Sequence, residues 1–280
     1  MSHTEGHFTG ERDTLIFHQY WEPEASPRAL LLIAHGAGEH GARYADFARQ
    51  CNARGYVVAA IDHVGHGRSG GTPGDLPDFD DFLQDLNQWR ELLTARFPDL
   101  PQFLVGHSMG GLVACSYLLG HQAGFAGAVL SGALVITNDE PGPFLRKVIN
   151  LLARILPRVG VHKVDAAAIS RNPDVVRHYV DDPLNYHGAM GPRMLRELFD
   201  AIDVLKARAG EITLPLLVLH GAEDKLTAPA GSQLLAERAG SEDKQLTIYP
   251  DLYHEIFNEP EREAVIDDVL NWCDARLPAH

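Results

Sequence analysis

Cysteine is scarce in this chain. There are three in 280 residues, Cys51, Cys115 and Cys273, an odd number scattered without the close spacing of metal ligands. A disulfide-stapled scaffold and a zinc ribbon are thereby excluded, and buried thiols in a reducing, cytoplasmic compartment are the expectation. Long apolar runs are missing too. No stretch approaches the roughly 18 uninterrupted apolar residues of a membrane-spanning helix. The opening Met1-Ser2-His3-Thr4-Glu5-Gly6-His7 lacks the basic-then-apolar pattern of an export signal. Positive charge is short as well: 24 Lys and Arg face 38 Asp and Glu, a formal net charge of −14. Such a field repels phosphate backbones, so no nucleic-acid partner is expected. Repeats and low-complexity tracts are absent.

What is present is a globular composition, 45% hydrophobic and 22% charged, able to bury a large core. The length allows two domains, or one α/β core with an insertion. Short, β-branched apolar runs alternate with amphipathic helical patterns, which predicts a mostly parallel sheet flanked by helices. The predicted strands are Ala29–Ala34, Tyr56–Ile61, Phe103–Val105, Gly127–Leu130, Leu214–Leu219 and Gln245–Tyr249. Helices are expected near Arg43–Arg54, from Phe79 to Leu93, Met109–Leu119, Ala228–Ala239 and Pro260–Arg276. Between Ile136 and Thr213 the alternation breaks into helical segments punctuated by Pro and Gly. The expected organisation is therefore a core of 1–136 and 214–280, with a helical cap inserted at 137–213.

Gly106-His107-Ser108-Met109-Gly110-Gly111 contains Gly-x-Ser-x-Gly. The string alone is weak, but a predicted strand runs into it and a predicted helix runs out, the context of a nucleophile elbow. A serine hydroxyl needs a base, and the base needs an orienting carboxylate. Asp224 follows the strand ending near Leu219, and His254 follows the next strand, so both project from successive strand ends. Glu223 and Asp251 are competing carboxylates. Negative charge developing on a tetrahedral intermediate needs two donors already in place. Met109, directly after the serine, supplies one amide, and Ala37, in the loop His35-Gly36-Ala37-Gly38-Glu39-His40, supplies the other. His35 with His40, or His63 with His66, would be the metal candidates among 15 histidines, but their loop spacing does not make a helical ligand pair.

Taken together, His35-Gly36-Ala37-Gly38-Glu39-His40 with Arg43-Tyr44, Asp62-His63-Val64-Gly65-His66-Gly67-Arg68-Ser69, the Ser108 motif, Gly221-Ala222-Glu223-Asp224 and Tyr253-His254 resemble the α/β-hydrolase superfamily. More narrowly, they resemble its monoacylglycerol lipase and lysophospholipase group, over nearly the whole chain. The resemblance implies an α/β-hydrolase fold, a Ser108–Asp224–His254 triad and an oxyanion hole at Ala37 and Met109. It also implies hydrolysis of lipid esters, most of all monoacylglycerols, with no metal or organic cofactor. A broad carboxylesterase or lysophospholipase, and a non-enzymatic hydrolase-fold binding protein, are the alternatives. The chain departs from mammalian members at Phe257, where they tend to carry another polar residue, and within the cap.

The cap stretch Gly142–Lys163 carries Arg146, Lys147, Arg154, Arg158 and Lys163 and no acid. Phe144, Leu145, Val148, Ile149, Leu152, Ile155 and Leu156 are expected to form one broad apolar face, with Arg146, Asn150 and Arg154 opposite. A helix of this kind can rim an acyl tunnel, rest on a lipid surface or pack on the core. The expected partner is a small lipid ester, with peripheral contact to a lipid interface through the cap. The sequence sets no oligomeric state.

Overall fold

A computed structural model of the chain describes residues 1–138 and 140–278. Eight strands form one sheet: β1 (Ser2–Thr9), β2 (Leu15–Glu22), β3 (Ala29–Ala34), β4 (Tyr56–Ile61), β5 (Gln102–His107), β6 (Phe125–Ser131), β7 (Leu216–Gly221) and β8 (Lys244–Tyr249). Their spatial order is β1-β2-β4-β3-β5-β6-β7-β8, with β1, β2 and β4 pairing antiparallel and every pair from β4 onward parallel. β3, β4, β5 and β7 are buried at every position. Helices cover both faces of the sheet, which is why these strands read as unbroken apolar runs.

Alternate residues of those strands belong to two separate cores. On one face Leu31, Val58, Phe103 and Leu217 pack with Phe47 of α1 (Ala45–Ala53) and with Val265, Val269 and Trp272 of α8 (Arg262–Asp274). On the other, Leu30, Val57, Leu104 and Val218 meet Phe82 and Trp89 of α2 (Asp80–Arg96) and Leu112 of α3 (Met109–His121).

The strand pattern is interrupted between β6 and β7 by α4 (Pro143–Ile155), α5 (Pro173–Asp181) and α6 (Pro192–Arg208); α7 (Pro229–Arg238) then separates β7 from β8. The segment is joined to the sheet's own core, because Leu198, Ile202 and Leu205 of α6 share the apolar cluster of α3. Polar ties add to this: Arg158 and Arg193 both bond to the buried Asp75 (3.0 and 2.9 Å), and Arg171 bonds to Glu259 (2.9 Å).

The structure goes beyond the sequence reading in two places. The hairpin β1–β2 lies outside the predicted strands. β1 is an almost wholly exposed edge strand, so no alternating apolar pattern marks it; backbone pairing from Ser2 opposite Glu22 to Thr9 opposite Leu15 holds it in place. In addition, the broad apolar face expected of α4 is present but covered along one edge only. Ile149 and Ala153 are buried and Leu145, 51% exposed, lines the cavity beside them, while Phe144, Leu151 and Ile155 at the other edge are 80%, 59% and 61% exposed. Arg146, on the polar face, pairs with Asp203 of α6.

Candidate active site

Ser108 makes the turn between β5, which ends at His107, and α3, which begins at Met109. It does so at φ 54°, ψ −121°, a left-handed conformation that non-glycine residues rarely adopt. The neighbours enforce it. A Cβ on Gly110 would lie 2.0 Å from the Ala34 carbonyl oxygen, and one on Gly106 would lie 2.5 Å from the Gly110 oxygen, so strand, turn and helix approach too closely for any side chain. The Ser108 N–H donates to the Ser131 carbonyl (3.0 Å), and its own carbonyl accepts from the amides of Leu134 (3.0 Å) and Gly111 (2.9 Å). Strain is thus held from both sides.

Asp224 lies three residues beyond β7, with its side chain out of solvent. Its Oδ1 accepts from the amides of Leu226 (2.8 Å) and Thr227 (3.0 Å), and its Oδ2 accepts from His254 Nδ1 at 2.6 Å. The competing carboxylates are elsewhere: Glu223 and Asp251 are exposed. Burial alone would raise the Asp224 carboxyl, but the adjoining imidazoles of His254 and His220 outweigh it and hold Asp224 far below the usual carboxylate range. For His254 the balance has the opposite sign. Burial pulls the imidazole down, yet the charge and hydrogen bond of Asp224, with Glu255 and Glu39 nearby, leave it raised above its ordinary value.

Ser108, Met109, Ala37 and His254 line one cavity of about 510 Å³. As the first residue of α3, Met109 has an amide without an intrahelical acceptor. Next to Ala37, the Gly36 N–H donates to Glu39 Oε1 (2.6 Å), which fixes the loop. Below that loop the rings of His35, His40 and His66 are held by hydrogen bonds, whereas both ring nitrogens of the buried His63 have no partner among the described residues. His35 Nε2 accepts from the His63 amide (2.9 Å), so its Nδ1–H donates to the Gly36 carbonyl (2.8 Å), while His66 Nδ1 donates to the Val64 carbonyl (3.0 Å) and His40 Nε2 reaches Asp182 (2.9 Å). Burial keeps His35, His63 and His66 below their ordinary pKa, hence neutral.

The cavity has two chemically different walls. Leu145 and Ile149 of α4 and Leu198 and Ile202 of α6 make one apolar wall. Glu39, Glu255 and Tyr179 contribute a polar one, organised by Arg43. The Arg43 guanidinium donates to Glu39 (2.6 Å) and to both oxygens of Glu255 (2.7 and 2.8 Å), and lies 4.9 Å from the Tyr179 ring centre. Burial pushes the Glu39 carboxyl up, but Arg43, His107 and the Gly36 amide bring it down to about 2. Sequence reasoning assigned no role to Glu255, Tyr179, Thr227 or His220. Arg43 and Glu255 lie 212 positions apart, so no local pattern announces their pairing. Phe257 is turned away from the cavity into the core, its ring 5.0 Å from that of Phe47.

Comparison with known proteins agrees with this architecture. The family described as serine aminopeptidase, S33, matches residues 25–261. A monoacylglycerol lipase of Mycolicibacterium smegmatis is 39% identical over 274 residues, covering 98% of both chains. The human monoglyceride lipase is 35% identical over 276 residues, covering 96% of this chain and 90% of that one. Among solved structures, a monoacylglycerol lipase of Paleococcus ferrophilus superposes with a TM-score of 0.84 at 28% identity, covering 93% of this chain and 99% of the other. The chain belongs to the serine aminopeptidase S33 family and, within it, to the monoacylglycerol lipases, serine hydrolases of carboxylic esters with the α/β-hydrolase fold.

Proposed function

We propose that this enzyme hydrolyses monoacylglycerols through an acyl-serine intermediate, with Ser108 as nucleophile, His254 as base, Asp224 as the orienting acid and the amides of Ala37 and Met109 as oxyanion hole. The observation that carries this is the division of the cavity at Ser108 between an apolar wall suited to one acyl chain and a polar wall suited to a polyol. With His254 Nδ1 bound to Asp224, Nε2 is the nitrogen left for the Ser108 hydroxyl. Attack by Oγ on the ester carbonyl sends the hydroxyl proton to His254, and the oxyanion forms between the two amides. Collapse of the intermediate breaks the ester C–O bond, and His254 returns the proton to the departing glycerol oxygen. Water repeats the sequence on the acyl-serine, releasing the fatty acid. Glu39 and the Tyr179 hydroxyl are the groups that meet the glycerol hydroxyls.

The segment 137–213 serves as the cap over this site. The outer stripe of α4, Phe144, Leu151 and Ile155, has Lys147 and Arg154 beside it, and neither has an ion-pair partner among the described residues. That combination fits peripheral contact with an anionic lipid surface. No helix among the described residues is long and apolar enough to cross a membrane. Cys51, Cys115 and Cys273 are free and buried, consistent with work in a reducing, cytoplasmic compartment. A second reading, hydrolysis of lysophospholipids, has Lys163 and Lys225 at the cavity in its favour.

The test is a substrate panel. Matching mono-, di- and triacylglycerols, lysophospholipids, acetyl and longer p-nitrophenyl esters and an amino-acid p-nitroanilide should give the highest kcat/KM for the monoacylglycerol. A clear preference for acetyl esters, or equal rates for mono- and triacylglycerols, would refute the substrate assignment; faster lysophospholipid cleavage would support the second reading.

A further inference from the structure

We propose that His220, outside the cavity, is a positioning residue for the Asp224 carboxylate, with the Ser232 hydroxyl fixing which of its nitrogens carries the proton. The proposal rests on the triad reading above. His220 lies in β7 and Ser232 in α7, both fully buried. Ser232 Oγ is 2.7 Å from His220 Nδ1. A hydroxyl that donates there leaves the ring hydrogen on Nε2. Nε2 faces acceptors: Asp224 Oδ2 at 3.1 Å and the Thr227 carbonyl at 3.2 Å. Asp224 Oδ2 is therefore held between two imidazoles, His254 on the cavity side and His220 behind.

The remaining hydrogens agree with this assignment. Thr227 Oγ1 has one hydrogen and two acceptors in reach, the Gly132 carbonyl at 3.0 Å and Asp224 Oδ2 at 2.9 Å. With the His220 Nε2 hydrogen shared between the Thr227 carbonyl and Asp224 Oδ2, the Thr227 hydroxyl is free to hold Gly132. That residue lies flat against the catalytic ring: a Cβ there would sit 3.2 Å from His254 Nδ1. One set of donors thus satisfies Ser232, His220, Asp224, Thr227 and Gly132 together. A buried carboxylate stays charged and fixed only while donors surround it. Two backbone amides fix Oδ1, and without His220 the Oδ2 side would depend on His254, the group it must orient, and on a Thr227 hydrogen taken from Gly132.

His220 does not touch the cavity, so its loss should act on kcat and the pH profile and leave KM nearly unchanged. The groups facing His254 are Asp224, Glu255, Glu39 and the His107 ring, whose centre is 4.7 Å away, and of these a change at 220 alters only Asp224 directly. His220→Phe fills the space without a donor. It should lower kcat about tenfold with KM within about twofold, and removing a donor from Asp224 should move the acid limb up by about half a pH unit. His220→Gln restores an N–H at the end of the side chain and should recover kcat to within about threefold of wild type. Ser232→Ala should show a smaller change in the same direction. A folded His220→Phe enzyme with wild-type kcat and pH profile overturns the proposal, as does a His220→Gln enzyme as impaired as His220→Phe. If His220→Phe does not fold, wild-type kcat and pH profile in Ser232→Ala overturn it instead. Asp224→Asn, assayed alongside, separates the two readings. An active Asp224→Asn enzyme removes the triad on which the proposal stands, whereas an inactive one beside an unaffected His220→Phe removes only the role of His220.

Discussion

At the scale of the residue, the acid and the base carry the sharpest expectations. Asp224 is the carboxylate bonded to His254 Nδ1, and Glu223 and Asp251 are solvated, so the three variants should separate widely. Asp224→Asn should lose on the order of 10⁴ in kcat, while Glu223→Gln and Asp251→Asn should stay within about twofold of wild type. Ser108→Ala should abolish labelling by a fluorophosphonate, which on the wild type should add once, at Ser108. The sequence alone suggests an acid limb near the ordinary histidine value of about 6.5. The folded site raises His254, because the attraction of Asp224 exceeds the penalty of burial. A base must be neutral to accept the serine proton, so activity should fall as pH drops through a midpoint above about 6.5 in a kcat/KM profile. Asp85 gives a residue-scale test of stability instead. Burial pushes its carboxyl up to about 7 beneath the β1–β2 hairpin, where it accepts from the Glu11 amide at 2.8 Å. Since the folded pKa exceeds the unfolded one, its contribution to stability is present in acid and is lost as pH rises toward 7. Asp85→Asn should therefore gain about 3 °C in Tm relative to wild type on going from pH 5 to pH 8, measured by thermal denaturation.

Among the elements, α4 is the one whose two sides do different things. Leu145 and Ile149 line the cavity, whereas Phe144, Leu151 and Ile155 are presented to solvent. Replacing those three by Ser should reduce sedimentation with lipid vesicles severalfold, yet leave kcat/KM on a short soluble ester within about twofold. Loss of soluble-ester activity in that variant would show that the outer stripe supports the fold rather than contact with lipid. The sequence pattern marked α4 as amphipathic. Which stripe faces inward depends on where α6 lies, and α6 is placed by its own burial against α3.

For the whole molecule, the distribution of charge matters more than its sum. A net charge of −14 repels anionic surfaces, while the segment between β6 and β7 presents Lys147, Arg154 and Lys163 beside exposed apolar side chains. Screening shortens the reach of such a patch to about 10 Å at 0.1 M salt. Binding to vesicles containing anionic lipid should weaken as salt rises and in Lys147→Glu/Arg154→Glu. Binding to zwitterionic vesicles should change little, and equal losses on both lipids would sink the electrostatic part of the argument.

By itself, the sequence determined the parallel sheet, because strands buried on both faces must be continuously apolar, and it placed Ser108 at a sharp strand-to-helix turn, because that turn needs Gly106 and Gly110 at fixed local spacing. It also narrowed the acid to three carboxylates near the ends of the last two predicted strands. The tertiary structure decided what depends on residues distant in the chain: that Asp224 bonds to His254, that Arg43 joins Glu39 to Glu255, that Phe257 turns into the core and that His220 lies behind Asp224. Edge strand β1 belongs with these, since its residues are almost all exposed and only pairing with β2 makes it a strand. The physical reason is common to all of them. A hydrophobic period is written along the chain, whereas a hydrogen bond across the fold becomes defined only when folding brings its donor and acceptor to within about 3 Å.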